Sequence, residues 1–171
     1  MNYFEQETER LYFRKLTVED IPKWRPFFDN NDSLPYLGID LSKPLDVIAR
    51  EWIEIQFQRY ADFGIGHLAI SEKITNTFIG VGGLLPRELK NQPEYEIAYS
   101  LLPQYRGKGY ATEIAKQLRV FGEANIQSKR LISIIHVDNK PSARVAIKNG
   151  MHIAEKTKFA GMPVEIYSTV P

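Results

Sequence analysis

The sequence predicts a single mixed α/β domain. Its length of 171 residues suits one unit with a core of its own. Hydrophobic residues make up 43% of the chain and charged residues 25%, which is ordinary for a globular protein. The predicted elements follow the order β-α-α-β-β-β-α-β-α-β-β, with no internal repeat, low-complexity tract or linker. We therefore expect one domain over residues 1–171.

Strands are predicted where β-branched and aromatic residues run between turn residues. The predicted strands are residues 11–16, 67–70, 77–85, 94–102, 131–137, 151–159 and 164–170. The strand at 131–137 is rich in β-branched residues, which suits a buried central position. Pro103 ends the predicted strand 94–102. The last two strands would form a hairpin around Gly161.

Helices are predicted from apolar residues at helical spacing and from start and stop signals. The first begins at Thr17, with Asp20 three residues on, a weaker form of the capping box. The second opens at Ser42, closes at Gly64, and has an apolar face of Leu45, Ile48, Ala49, Trp52, Ile53, Phe57 and Tyr60. The third runs to about residue 125, with a face of Ala111, Ile114, Ala115, Leu118 and Phe121. The fourth covers residues 141–149 and ends at Gly150.

Charge and composition argue against several classes of function. A net charge of +1 provides no strong field for nucleic acid or an anionic membrane. No apolar run reaches transmembrane length and the N-terminus lacks a signal-peptide hydrophobic region, so we expect a cytoplasmic protein. The absence of cysteine removes disulfides, thiolate metal sites and a cysteine nucleophile. His67, His136 and His152 lie in separate segments, which argues against a metal site.

Residues 104–112, QYRGKGYAT, place two glycines around a lysine where a predicted strand becomes a helix. This glycine loop is not a P-loop, and Thr112 stands where a dinucleotide fingerprint needs its third glycine. N–H groups at a helix start are unpaired and partly positive, which suits a phosphate or pyrophosphate. Arg106 and Lys108 would flank the loop as mobile cations. The alternative is a glycine-rich turn that only packs.

The strand before the glycine loop alternates in polarity until Leu101 and Leu102, which are both apolar. Such a break predicts a β-bulge, which bends a strand away from its neighbour and leaves backbone groups unpaired. An elongated ligand could then pair with those backbone groups.

Residues 96–113, EIAYSLLPQYRGKGYATE, resemble the acetyl-CoA site of the GCN5-related N-acetyltransferases (GNAT). The resemblance is greatest to the branch that acetylates the N-terminal alanine or serine of ribosomal proteins. It continues at residues 10–14 and through residues 139–150, so it spans nearly the whole chain. It implies a mixed, mostly antiparallel central sheet, flanked by helices, in which two central strands part into a V-shaped slot.

The resemblance also implies acetyl-CoA as co-substrate and no metal. Backbone N–H groups of Arg106 through Thr112 would hold the pyrophosphate. The strand end at Leu101 and Leu102 would pair with the pantetheine arm, and Asn139 would bond that arm from the other side. The residues implied in binding acetyl-CoA are Leu101, Leu102, Gln104, Arg106, Gly107, Lys108, Gly109, Tyr110, Ala111, Thr112, Asn139 and Ser142.

Acetyl transfer to an amine needs a neutral amine, a polarised thioester carbonyl and an acid for the departing thiolate. Without cysteine, direct attack in a ternary complex is the simplest route, and backbone N–H groups of the parted strand would stabilise the oxyanion. Glu96 matches the strand glutamate of the family and would act as base through a water. The alternative for Glu96 is a surface carboxylate on an edge strand. Glu94, two residues earlier on the same face, is the reserve base.

The acid is harder to assign from sequence. Many relatives carry a tyrosine seven residues after the asparagine, and Ala146 occupies that place here. Ser142 matches a serine used in the ribosomal-protein branch, and its alternative role is to cap the short helix. Two classes of function stay open: an active N-acetyltransferase, and a coenzyme A-binding sensor or regulatory module that has lost turnover.

The acceptor is expected to be a primary amine, on a small molecule or a protein N-terminus. It would bind between the first two helices and the closing hairpin. Asp29, Asp32 and Asp40 could attract a cationic amine, although exposed loop acids are more often only solvated. We expect no nucleic-acid or membrane partner, and a monomer or a homodimer.

Overall fold

The computed structural model describes residues 2–170, which form an eight-stranded sheet with helices on both faces. The strands are β1 (Glu5–Glu7), β2 (Leu11–Lys15), β3 (His67–Glu72), β4 (Phe78–Leu89), β5 (Gln92–Leu101), β6 (Ile132–His136), β7 (His152–Phe159) and β8 (Met162–Ser168). The helices are α1 (Ile21–Trp24), α2 (Leu45–Phe63), α3 (Tyr110–Asn125) and α4 (Lys140–Lys148). The strand order is β1-β2-β3-β4-β5-β6-β8-β7, and neighbours are antiparallel except β5 and β6.

Every predicted strand is present, and β1 is added at one edge of the sheet. The predicted first helix is short, because α1 lies between 3₁₀ turns at Val18–Asp20 and Arg25–Phe28. Pro22 and Pro26 stand at the start of two of these pieces, where a missing N–H is tolerated, and each interrupts the helix before it. Within residues 2–170, no helix combines the length and apolar character needed to cross a bilayer.

β4 and β5 extend beyond their predicted ends into one long hairpin. Its two-residue turn, Lys90 and Asn91, has φ values of 52° and 59°, the left-handed conformation of a type I′ turn. Pro86 and Pro93 bounded the predicted strands but lie inside the hairpin. Both stand where the backbone faces away from the partner strand, so no ladder hydrogen bond is lost.

The core has two layers, one on each face of the sheet. Leu101 packs in the layer under α3 and α4, and Leu102 packs in the layer under α1 and α2. Consecutive apolar residues therefore need no bulge, because both faces are covered at this end of β5. The bulge predicted there is wrong, since β5 pairs with β4 without interruption up to Leu101. A register shift lies instead between β3 and β4, at Ile70 and Ser71.

β5 and β6 are paired at a single position, Glu96 opposite Ile132, although both strands continue beyond it. β5 stays paired with β4, and β6 stays paired with β8, so the two central strands separate toward their C-terminal ends. The mostly antiparallel sheet with a V-shaped splay, implied by the family resemblance, is confirmed. We call the gap between β5 and β6 the splay.

Backbone groups of β5 point into the splay at alternate residues. The Ser133 hydroxyl of β6 donates to the Ile97 carbonyl oxygen at 2.9 Å, so the Ile97 backbone faces β6. Because backbone direction alternates along a strand, Tyr99 and Leu101 also present their N–H and C=O groups to the splay. An extended ligand in the splay would therefore meet the backbone of these residues.

Candidate active site

The glycine loop joins β5 to α3 through a short 3₁₀ turn, Pro103–Tyr105. Gly107 and Gly109 have φ values of 76° and 83°, and Gly109 is the N-cap of α3. A glycine cap has no side chain to bond the helix start, so the first N–H groups of α3, from Tyr110 onward, are open to a ligand. A Cβ at Gly107 would meet nothing within 4 Å, so that side of the loop is open. This geometry suits a bound anion.

Arg10 holds the glycine loop against the start of β2. Its Nη1 donates to the Lys108 carbonyl oxygen at 3.0 Å, and its guanidinium lies 4.4 Å from the centre of the Tyr110 ring. Its Nη2 pairs with Glu113 Oε2 at 2.6 Å. The pairing neutralises a carboxylate in the first turn of α3 that would otherwise repel an anion. Arg10 falls within the family resemblance at residues 10–14, but nothing in the sequence indicated this role.

The two cations that flank the loop differ from each other. Arg106 Nη2 donates to Asn31 Oδ1 at 3.0 Å and to Ser33 Oγ at 3.1 Å. Arg106 is therefore held in place, and its prediction as a mobile cation is wrong. Lys108 is exposed, with Nζ 5.3 Å from the centre of the Tyr105 ring, and it is free to reach a ligand on the loop.

Leu101 and Leu102, at the end of β5, were both predicted to lie against the pantetheine arm, but their backbone groups face opposite sides of the strand. The backbone of Leu101 faces the splay, as that role requires. The Leu102 N–H donates to the Ile79 carbonyl oxygen at 2.9 Å, so this N–H is turned to β4 and away from the splay. Both leucine side chains are buried, whereas Gln104 is exposed at the start of the loop.

A cavity of about 450 Å³ opens beside the splay, between α2, β5 and β6. Its rim includes Gly38 and Met162, which lie so close that a Cβ at Gly38 would meet Met162 Cε at 3.0 Å. Among the predicted site residues, Glu96, Asn139 and Ser142 line the cavity. The glycine loop follows β5 and lies outside the cavity lining.

Glu96 lies in the cavity wall with 9% of its side chain exposed. Arg87 Nε donates to Glu96 Oε2 at 2.6 Å. Within residues 2–170 no hydrogen bond is made to Oε1, which leaves that oxygen for a water in the cavity. β5 is an interior strand, so the alternative of a surface carboxylate on an edge strand is wrong.

Glu94 is not placed to act as the reserve base. Its carboxylate binds the Arg130 guanidinium, with Nη2 to Oε1 at 2.5 Å and Nε to Oε2 at 3.3 Å. It does not line the cavity. Side chains two residues apart share a face of the strand, but Glu94 is drawn to the chain segment before β6.

Asn139 and Ser142 meet at the start of α4. Asn139 is the N-cap, and its Oδ1 accepts a hydrogen bond from the Ser142 N–H at 3.3 Å. Asn139 therefore caps the helix, and the alternative role of Ser142 as the cap is wrong. Ser142 is among the residues that line the cavity. Ala146, which replaces the tyrosine of many relatives, is buried on α4.

Tyr99 is a cavity residue that the sequence analysis did not select. Its hydroxyl donates to the Ser142 carbonyl oxygen at 3.3 Å, and burial raises the pKa of Tyr99 above its ordinary range. Tyr99 and Glu96 point to opposite faces of β5, because they are an odd number of residues apart. Both line the cavity, so the cavity reaches both faces of the sheet through the splay.

The sequence predicted only that His67 is not part of a metal site. The structure places His67 in the cavity wall. Its ring stacks on Trp52, with centres 5.8 Å apart and planes 10° apart. Among residues 2–170, neither ring nitrogen has a hydrogen-bond partner. Burial, and then the charges of Arg59 and Arg87, lower the pKa of His67 to about 3, so the ring is neutral at neutral pH.

The three loop acids that could attract a cationic amine are not grouped. Asp29 pairs with Arg25 at 2.8 Å, and only Asp40 lines the cavity. Asp32 lies near the glycine-loop residue Arg106. Burial lowers the pKa of Arg106, and the charge of the Asp32 carboxylate raises it in part. Within the described part of the chain, no group of three or more histidine and carboxylate side chains could hold a metal ion.

The chain matches known acetyltransferases along most of its length. The family described as "Acetyltransferase (GNAT) domain" matches residues 10–152. The uncharacterised protein YkkB of Bacillus subtilis is 30% identical over 118 residues, which is 69% of each chain. An acetyltransferase structure from Agrobacterium tumefaciens has a TM-score of 0.78 at 26% identity, covering 96% of this chain and 92% of that one. RimL, a ribosomal L7/L12 α-N-protein acetyltransferase solved with coenzyme A, shares the fold, with a TM-score of 0.77 at 17% identity over 94% of both chains.

The matched span contains the splay, the glycine loop and the cavity wall at Glu96. The glycine loop and Glu96 belong to the residues that carry the resemblance of the sequence, and the splay is the slot that the resemblance implies. The chain therefore belongs to the GNAT acetyltransferase family.

Proposed function

We propose that this protein transfers the acetyl group of acetyl-CoA to a primary amine by direct attack in a ternary complex. The observation that carries the proposal is the position of the splay. The open N-terminus of α3 lies where β5 ends, beyond the splay. The splay also adjoins the cavity, and Glu96 is part of the cavity wall. A pyrophosphate at the helix start and an acetyl group near Glu96 would lie along one strand.

The glycine loop fits the diphosphate of coenzyme A. The N–H groups from Gly107 to Thr112 would hold the phosphate oxygens, because left-handed glycines and a helix start turn donors outward. Lys108 supplies a free cation. The backbone of Tyr99 and Leu101 would pair with the pantetheine arm, and the Asn139 amide would bond that arm from α4.

The chemistry uses groups that line the cavity. A water between the amine and Glu96 Oε1 would take the amine proton to the carboxylate. The amine nitrogen attacks the acetyl carbonyl carbon, the C–N bond forms, and the C–S bond breaks. N–H groups of β5 that face the splay would stabilise the oxyanion. The thiolate takes a proton from the hydroxyl of Ser142 or Tyr99, and the proton held by Glu96 returns to that oxygen through solvent. Free coenzyme A and the acetylated amine are released, and both side chains are back in their starting states.

Two measurements test this proposal. Saturating acetyl-CoA should raise the melting temperature, since at a concentration 100 times Kd a ligand stabilises the folded state by about 2.7 kcal/mol. Thiol release from acetyl-CoA should then depend on an added amine, in a screen of small amines and peptide N-termini. No thermal shift in folded protein would contradict the cofactor site. A shift without amine-dependent thiol release would contradict turnover and return the chain to the sensor class.

A further inference from the structure

We propose that the acceptor amine carries a single carboxylate, which binds Arg59 in the part of the cavity next to Glu96. This inference rests on the proposed function, because it names the acceptor class of the same site. It follows from the charges that line the cavity and from the lack of a carboxylate partner for Arg59 among the described residues.

Three lysine and arginine side chains line the cavity, and within residues 2–170 two of them have carboxylate partners. Lys43 pairs with Glu51 at 2.8 Å, and Arg87 pairs with Glu96 at 2.6 Å. Arg59 has no carboxylate within ion-pair distance among the described residues. It is therefore the cavity cation that a ligand can neutralise.

The surroundings of Arg59 disfavour an unpaired charge. Burial, and then the charge of Arg87, lower the pKa of Arg59, and the Glu96 carboxylate opposes them in part. An arginine still stays protonated at neutral pH, so these three groups carry one positive charge in excess. One carboxylate cancels that excess, and the planar guanidinium offers it two parallel N–H donors.

Gln56 sets Arg59 and His67 side by side. Its Oε1 accepts from Arg59 Nη1 at 3.2 Å and from the His67 backbone N–H at 2.9 Å. The His67 ring is buried in the cavity wall, and a buried polar group without a partner is rare. Neither ring nitrogen has surface open to the cavity, so the neutral ring packs in the wall and the Arg59 guanidinium is the group that meets a ligand carboxylate.

The charges next to Arg59 favour a carboxylate over a phosphate, because the rest of the lining, with Lys43, Asp40 and Glu51, adds no further positive charge. A phosphate with two charges would need a second free cation, but Arg87 is held by Glu96. A cavity of about 450 Å³ is the size of a small-ligand site. An amine near Glu96 and a carboxylate on Arg59 therefore describe a small amino acid.

The test compares matched amines. The standard amino acids, their carboxamides and 2-aminoethylphosphonate are supplied with acetyl-CoA, and kcat/KM is measured by thiol release. We expect at least one amino acid to exceed its carboxamide by about ten- to a hundredfold, the effect of a charged hydrogen-bonded contact. Arg59→Gln should abolish that preference through KM for the acid, while the carboxamide changes by less than about threefold. Arg59→Lys should restore part of it.

Arg50→Gln is the matched control, because Arg50 lies on the same helix in an exposed ion pair with Glu54 and outside the cavity lining. It should retain the preference. Equal rates for acid and carboxamide, an equal loss on both in Arg59→Gln, or a preference for the phosphonate would each overturn the inference. If the protein binds acetyl-CoA but acetylates none of the amino acids, the inference is also overturned. Failure to bind acetyl-CoA would instead remove the proposed function itself.

Discussion

The Tyr99 hydroxyl and the Ser142 carbonyl oxygen lie 3.3 Å apart and are hydrogen-bonded, which joins β5 to the start of α4 on the far side of the splay. Tyr99 and Ser142 both line the cavity. A tyrosine hydroxyl is protonated at neutral pH, burial raises the pKa of Tyr99 further, and the hydroxyl can therefore donate. Tyr99 thus offers the phenol that Ala146 does not supply.

If Tyr99 protonates the departing thiolate, Tyr99→Phe should lower kcat by about ten- to a hundredfold, with acetyl-CoA affinity within about twofold. Ser142→Ala measures the competing hydroxyl under the same conditions. Tyr95→Phe is the control, since Tyr95 lies on the same strand outside the cavity lining. Full activity of Tyr99→Phe together with a loss in Ser142→Ala would assign the acid to Ser142.

Glu96→Gln keeps the shape of the side chain and removes the proposed base. With a fixed amine at neutral pH, kcat should fall by roughly ten- to a thousandfold, and the loss should shrink at high pH, where free amine is plentiful. Acetyl-CoA affinity should be unchanged by calorimetry. Glu94→Gln, on the same strand but bound to Arg130, should retain its rate within about twofold. A rate for Glu96→Gln equal to that of the unmodified protein across this pH range would show that Glu96 is not the base.

Gly109→Val should weaken coenzyme A binding by at least about tenfold in calorimetry. Gly109 has a φ of 83°, a conformation that a β-branched residue resists, and it supplies the cap of α3 without a side chain. Gly64→Val is the control for backbone strain, because Gly64 has a φ of 68° with nothing near its Cβ position and ends α2. Equal affinities in the two folded variants would mean that the glycine loop only connects.

His67 should make the protein sensitive to mild acid. Its pKa is about 3 in the folded protein and about 6.5 when unfolded, so below pH 6.5 the unfolded chain binds a proton that the folded chain does not. The free energy of unfolding should therefore fall as pH decreases, by about 2 kcal/mol from this group near pH 5. Urea denaturation of His67→Gln should show a flatter pH dependence. His152→Gln, at an exposed position, should keep the steeper one.

The strands and long helices could be predicted because apolar spacing reports which side of an element is buried. The same spacing misled at Leu101 and Leu102, since a local pattern cannot show that helices cover both faces of a strand. The first helix was overestimated because Pro22 and Pro26 divide it into single turns.

The candidate site could be proposed from sequence where its residues are close together, as in the glycine loop. Its supporting contacts join distant segments, and no local pattern reports them. Arg10 reaches Lys108, and Arg106 reaches Asn31. Arg59 became informative only after folding, because its lack of a carboxylate partner depends on which groups share its cavity.

The single pairing of β5 with β6 divides the sheet mechanically into two panels, β1 to β5 and β6 to β8. A rotation of one panel against the other would pivot where Glu96 lies opposite Ile132, and displacement would grow with distance from that pair. The far end of the splay, near the glycine loop, could then widen to admit a long cofactor while the carboxylate hardly moves. If Glu96 is the base, as proposed, its place at this pivot would keep the carboxylate in line with the amine as the slot widens.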